Sequence, residues 1–433
     1  MANIMDYMDW RGDLSFEADE FNEVDNLILA QLAYVDFEGI VTAEENAPAV
    51  TLKEASGQFW EKNDKDEILA RVSMTKSAPF VMEKMAETKR FSDVKLRCYV
   101  NEIRDEEQFQ FSAVCVELPD DSLYVAFRGT DNTITGWRED FNMGYLSETP
   151  GQLRAVEYLN RAVTDKKQRV RVGGHSKGGN LAAYAGMFVD EATRARIQTV
   201  YNFDGPGFNE ATISSEEFGK VDMRIRTFVP QSSMIGILMW HREPFTIVRS
   251  NGVGVFQHDA YTWQIMGGDF IKLSERTGHS HFADDTIKRW LEELKPDMRR
   301  QAIDGIYAVL SASNGMNVSD LFEARNTMSV LKAAGAMDEK TRSAVLEAFR
   351  LLGSSMIGGV PAWLERTASS VAQPWEQRRE EARAEAKIEA RAEAKTEAKT
   401  EARAETRSER RLETRLEAGM EAKARENAPE LAK

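Results

Sequence analysis

The chain has 433 residues, with 56 Lys+Arg against 71 Asp+Glu, for a net charge of −15. So acidic a chain lacks the basic face with which a nucleic-acid binder displaces phosphate counterions, and two cysteines, Cys98 and Cys115, suit reduced core thiols rather than a disulfide framework. No apolar run reaches the roughly 18 residues of a spanning helix, and Met1 to Asp6 carries neither a basic nor an apolar leader segment, so a cytoplasmic protein is expected.

In chain order, Leu27, Ile28, Leu32 and Val35 recur at helical spacing and predict a helix around Phe21 to Phe37. More helix is expected up to about Glu87. Strand-like runs follow at Leu96 to Ile103, Phe109 to Leu118 and Ser122 to Phe127, the last two joined by a Pro119-Asp120-Asp121 turn. Gly151 to Thr164 reads as a helix, Arg169 to Val172 as a short strand, and Lys177 to Val189 as another helix. Further strands are expected at Thr199 to Phe203, Met223 to Val229 and Phe245 to Arg249. Strands alternating with helices imply crossover connections and a mostly parallel central sheet. After Phe282 the strand signals stop, and residues such as Ile287, Trp290, Leu291 and Leu294 predict amphipathic helices. The expected organisation is an α/β domain over 1–290, a helical appendage over 291–373 and a low-complexity tail over 374–433.

The tail is rich in Ala, Glu, Lys and Arg. From Trp375 to Lys433 it holds 15 acids and 15 bases in 59 residues, so the whole −15 belongs to the first 374. Glu recurs every fourth residue from Glu381 to Glu421, with bases two positions later, as at Arg383 and Lys387. Helix propensity is high, yet the i,i+4 neighbours are Glu over Glu and base over base. The result is an acidic and a basic stripe on opposite sides of a helix, with no apolar seam for an ordinary coiled coil. Two readings stand: a solvated, partly helical, partly disordered tail, or self-association by pairing acidic stripes with basic ones.

The strongest chemical motif is Gly174-His175-Ser176-Lys177-Gly178, a G-x-S-x-G pattern with a strand before it and a helix after it. A nucleophile elbow needs that order, because a sharp strand-to-helix turn holds the serine strained and exposed, with small neighbours to let the backbone pass. Ser176 is the candidate nucleophile. A phosphate-binding turn is the rival, but there is no G-x-x-x-x-G-K-[ST] run there. An oxyanion hole needs two preorganised donors. The Lys177 N–H just after the nucleophile would be one, and Thr130, after the Leu123 to Phe127 strand and Gly129, the other.

With Phe127-Arg128-Gly129-Thr130 followed about 45 residues later by the serine motif, the chain resembles the lipase-like α/β hydrolases, especially class 3 lipases. In these a Trp and an Asp follow the Phe-Arg-Gly-Thr, here Trp137 and Asp140. The chain also resembles an uncharacterised bacterial family of lipase-like hydrolases. That family opens on Tyr-x-x-Trp-Arg-Gly-Asp, here Tyr7 to Asp13, and carries a Gly-His-Ser-Lys-Gly-Gly elbow and a His-Asp-x-x-x-Trp segment. The resemblance covers roughly residues 1 to 290 and implies an α/β-hydrolase fold.

The base should be a histidine C-terminal to the serine. Among His175, His241, His258, His279 and His281, the resemblance favours His258, followed by Trp263. His279 and His281 are the alternatives, and as a metal pair they are weak. Class 3 lipases place the acid after the next strand, but here that strand runs into Pro230-Gln231-Ser232-Ser233-Met234, with no carboxylate. Some lipases place it one strand earlier, which implies Asp204 of Asn202-Phe203-Asp204-Gly205-Pro206. The alternatives are Asp259, or a purely structural Asp204 in its turn. Asp131 to Thr149 resembles a lid region, whose Phe141, Met143, Tyr145 and Leu146 would line an acyl pocket or simply pack.

The expectation is a serine hydrolase of lipase/esterase type acting on a small acyl ester or lipid, with no cofactor, no metal and no nucleic-acid partner. The missing acid after Arg224 to Val229 leaves open a different class, a catalytically inactive hydrolase-like scaffold that assembles through its tail.

Overall fold

The structure, a computed structural model, describes residues 2–284 apart from 72–74, 105, 107–108, 131–142, 144–145, 147, 166, 279 and 282–283. Trp137, Asp140, Phe141, Tyr145, His279, the 291–373 appendage and the 374–433 tail lie outside the described residues. By compactness the chain divides into Met1–Met356 and Ile357–Lys433.

The N-terminal helices are α1 (Ile4–Arg11), α2 (Glu23–Leu32), α3 (Leu52–Lys62), α4 (Lys65–Ala70) and α5 (Ala78–Ala86). Asn22 caps α2 and Asp25 returns the bond to the Asn22 N–H, a reciprocal box that satisfies helix-end donors. Strands β1 (Val50–Thr51), β2 (Lys95–Arg104), β3 (Phe109–Glu117) and β4 (Leu123–Phe127) pair antiparallel in that order. Helix α6 (Pro150–Ala162) follows, then β5 (Val170–His175), α7 (Lys177–Phe188), β6 (Ile197–Phe203), β7 (Ile225–Pro230) and β8 (Phe245–Val248). Strands β4 to β8 pair parallel, each with the next. A hairpin of β9 (Ile265–Met266) and β10 (Asp269–Phe270) precedes β11 (Lys272–Leu273), which closes the far edge beside β8. Among the described residues the main sheet thus has nine strands, ordered β1-β2-β3-β4-β5-β6-β7-β8-β11.

Strand alternation assigns each face its core. Tyr124 and Ala126 of β4 face α1, α2, α3 and α5, together with Phe203, Phe228 and Trp263. Leu123, Val125 and Phe127 face the other way, packing with Tyr158 and Leu159 of α6 and Leu181 and Tyr184 of α7. The fold is therefore α/β, with helices on both faces of a sheet whose centre is parallel. Cys98 and Cys115 are both free and buried.

The Tyr7 to Asp13 stretch has a structural use. The Tyr7 hydroxyl donates to Asp25 Oδ1 at 2.9 Å, and the Trp10 indole N–H donates to the Gly267 carbonyl at 2.9 Å. Arg90 pairs with Asp25 at 2.5 Å with both side chains 0% exposed, and also donates to the Leu14, Asp19 and Glu20 carbonyls. Burial pushes the Asp25 carboxyl up, and the Arg90 guanidinium opposes it. One buried cation thus ties residues 14–20 to α2.

Candidate active site

Ser176 stands between the end of β5 and the start of α7, with φ 59° and ψ −135°. That conformation is costly for a residue with a Cβ and recurs where structure is held for function. The turn is tight: a Cβ added to Gly178 would collide with the Phe127 carbonyl and come within 2.9 Å of the Arg128 carbonyl carbon. A Cβ on Gly129 would lie 3.0 Å from the Ser176 Cβ. The Gly129 backbone therefore runs directly beside the serine.

Lys177 is the first residue of α7, at the positive end of the helix dipole. Its side chain turns away. The Lys177 Nζ is buried and donates to the Gln110 carbonyl at 3.1 Å and to Gln110 Oε1 at 3.2 Å, binding the serine turn to β3.

Asp204 follows β6 with φ 52°, a region that aspartate tolerates better than most residues. It is 0% exposed. The neighbouring turn is capped by Asn202, whose Oδ1 accepts the Gly205 N–H at 2.9 Å. Asp204 is thereby left to other partners. Its Oδ2 lies 2.7 Å from His258 Nδ1, and its Oδ1 accepts Ser233 Oγ at 2.5 Å and the Gly236 N–H at 3.2 Å. Three donors meet a carboxylate that water cannot reach, which is what burial of such a group requires.

His258 ends a short 3-10 helix over Gly254–His258. Its ring lies against that of His175, with centroids 4.6 Å apart. His175 Nε2 is 2.8 Å from the His258 carbonyl, so this nitrogen carries the proton, and Nδ1, 3.1 Å from the Tyr34 hydroxyl, is the acceptor. Burial, and after it the neighbouring His258, push the His175 imidazole down to about 3, so it stays neutral. The Ser176 hydroxyl makes no hydrogen bond among the described residues, and the ring of its chain neighbour His175 is the one that lies against His258. Catalytic hydrogen bonds are often long without substrate and tighten when the site is filled.

The remaining candidates go elsewhere. Asp259 Oδ1 accepts the Tyr261 N–H at 3.0 Å and caps the following turn. His241 Nδ1 pairs with Glu243 Oε1 at 2.9 Å, and His281 Nδ1 lies 3.4 Å from Arg276 Nη2. Among the described residues no cluster of His, Cys, Asp and Glu is arranged to hold a metal ion. The structure joins Asp204 to His258 and sets Ser176 and Lys177 at the turn between β5 and α7. It adds Tyr34, His175, Ser233 and Gly236. Of these only His175 has a local sequence signal, its place inside the serine motif.

Similar solved structures include two lipases. Rhizomucor miehei lipase in its propeptide complex shares 18% identity over 36% of this chain, with a TM-score of 0.30. M37 lipase shares 13% identity over 49% of this chain and 67% of its own, with a TM-score of 0.31. The chain spans 58% of the length of the Rhizomucor miehei chain. Among curated proteins none matches in sequence. A family model described as Mbeg1-like matches residues 85–308, from the last turn of α5 to beyond β11. That is more than half of the chain, and the protein belongs to the Mbeg1-like family.

Proposed function

We propose that this protein is a serine hydrolase of lipase/esterase type that cleaves an acyl ester through Ser176, His258 and Asp204. The observation that supports the reading is the 2.7 Å contact between Asp204 Oδ2 and His258 Nδ1, in a chain whose Ser176 occupies a strained strand-to-helix turn. The buried carboxylate accepts the Nδ1 proton, so the lone pair of His258 is on Nε2. His258 takes the Ser176 proton as Oγ attacks the acyl carbonyl. The N–H groups of Lys177 and Thr130 hold the oxyanion, each such donor being worth about 2.7–4 kcal/mol. The carbonyl–oxygen bond to the alcohol breaks as His258 returns the proton to it, leaving an acyl-serine. Water, deprotonated by His258, then releases the acid and restores the serine.

Hydrolysis of a short p-nitrophenyl ester tests the proposal. Ser176→Ala should abolish turnover, and Asp204→Asn should lower kcat about 10⁴-fold, because the imidazole loses its tautomer control and its counter-charge. Normal turnover by Asp204→Asn would remove the acid from the mechanism.

A further inference from the structure

Among the described residues, the loop between β7 and β8 contributes a hydroxyl and an N–H to Asp204, where a lipase of class 3 type carries its acid. We propose that Ser233 is a positioning residue for the acid, a clamp that sets which oxygen of Asp204 faces His258. The inference rests on the Ser176-His258-Asp204 reading and deepens it.

The division of labour on the carboxylate is clean. Oδ2 meets His258 Nδ1 at 2.7 Å, while Oδ1 accepts Ser233 Oγ at 2.5 Å. The Gly236 N–H is shared between Asp204 Oδ1 at 3.2 Å and Ser233 Oγ at 3.1 Å. The hydroxyl of Ser233 thus accepts from Gly236 and donates to Asp204. Without it, Oδ1 would keep only a long, shared N–H, and the carboxylate could turn about its last side-chain bond.

The clamp is itself braced. Ser233 is 1% exposed, its N–H donates to the Pro230 carbonyl at 2.9 Å, and its carbonyl accepts Ser280 Oγ at 2.8 Å. Gln231 exchanges two hydrogen bonds with the backbone of Ser250. The Ser232 N–H donates to Gln257 Oε1 at 2.9 Å, one residue before His258. The loop that holds the acid and the segment that carries the base are therefore joined on both sides of the pair. A serine placed for packing alone would not need its hydroxyl aimed at the carboxylate oxygen opposite the imidazole.

The test compares the full-length protein with Ser233→Ala and Asp204→Asn on a short p-nitrophenyl ester, with thermal melting to verify folding. Folded Ser233→Ala should lose about 10- to 100-fold in kcat, the scale of a small misplacement of a catalytic group, with KM little changed. The low-field proton resonance of His258 Nδ1–H should shift or broaden. Wild-type kcat with an unchanged resonance would overturn the clamp. Should Ser233→Ala not fold, Ser233→Cys keeps the volume and offers only a weak donor, and is judged by the same readouts. Loss of activity in Asp204→Asn beside an unimpaired Ser233 variant overturns this inference alone. Full activity in Asp204→Asn overturns the triad and the clamp together.

Discussion

At the residue scale, the site has a neutral histidine packed against His258. His175 is 7% exposed and stacked on His258, and burial holds its imidazole at about 3 against an ordinary 6.5. In the unfolded chain it takes up a proton below about 6.5, while in the folded chain it does not. Its contribution to stability is therefore complete above pH 6.5 and is lost as the pH falls towards 3, by up to about 1.4 kcal/mol per unit in that window. His175→Gln should flatten this dependence. Urea midpoints at pH 7 and pH 5 measure it: the native chain should lose more stability between them than the variant, and equal losses would contradict the assignment. This neutral tether was invisible in sequence, because Tyr34 lies 141 residues from His175. Ser176 is read from a local signature, a serine in a G-x-S-x-G pattern, whereas Asp204 is read only from the resemblance to lipases that place their acid one strand earlier. The partners that orient Asp204 were not visible, since Ser233 is 29 residues away with no motif of its own.

At the element scale, the strands and crossover helices from Lys95 to Val248 fall within a few residues of the hydrophobic pattern, because each is long enough to repeat it. Helix α1 was not legible. Its sequence has little amphipathic character, and it is held instead by an Asn3–Asp6 capping box and by the long-range bonds of Tyr7 and Trp10. Strands β1, β9, β10 and β11 have two residues each, too few to carry a period. The Arg90–Asp25 pair that anchors this N-terminal layer gives a prediction of its own. Arg90→Met leaves a buried carboxylate and three carbonyls without their cation, and should cost about 3–5 kcal/mol. Chemical denaturation would read it as a lower urea midpoint at an unchanged slope. A loss below about 1 kcal/mol would mean that the clamp is dispensable.

At the scale of the whole molecule, charge and chemistry separate along the chain. The first 374 residues hold all of the −15 and every residue of the candidate site, while Trp375 to Lys433 is half charged and neutral. Among the described residues no helix is long and apolar enough to cross a membrane. If the acidic and basic stripes of the tail pair between chains, truncation after Gln373 should lower the native mass measured by light scattering, and an unchanged mass would exclude that assembly. Truncation should leave ester hydrolysis intact, since no candidate catalytic residue lies in the tail. Whether Ser176 is a nucleophile is read by reaction of the full-length protein with a fluorophosphonate, followed by peptide mass analysis. One covalent adduct is expected on Ser176, absent from Ser176→Ala and strongly slowed in Asp204→Asn. No adduct in the folded native protein, or one that persists in Ser176→Ala, would contradict that role.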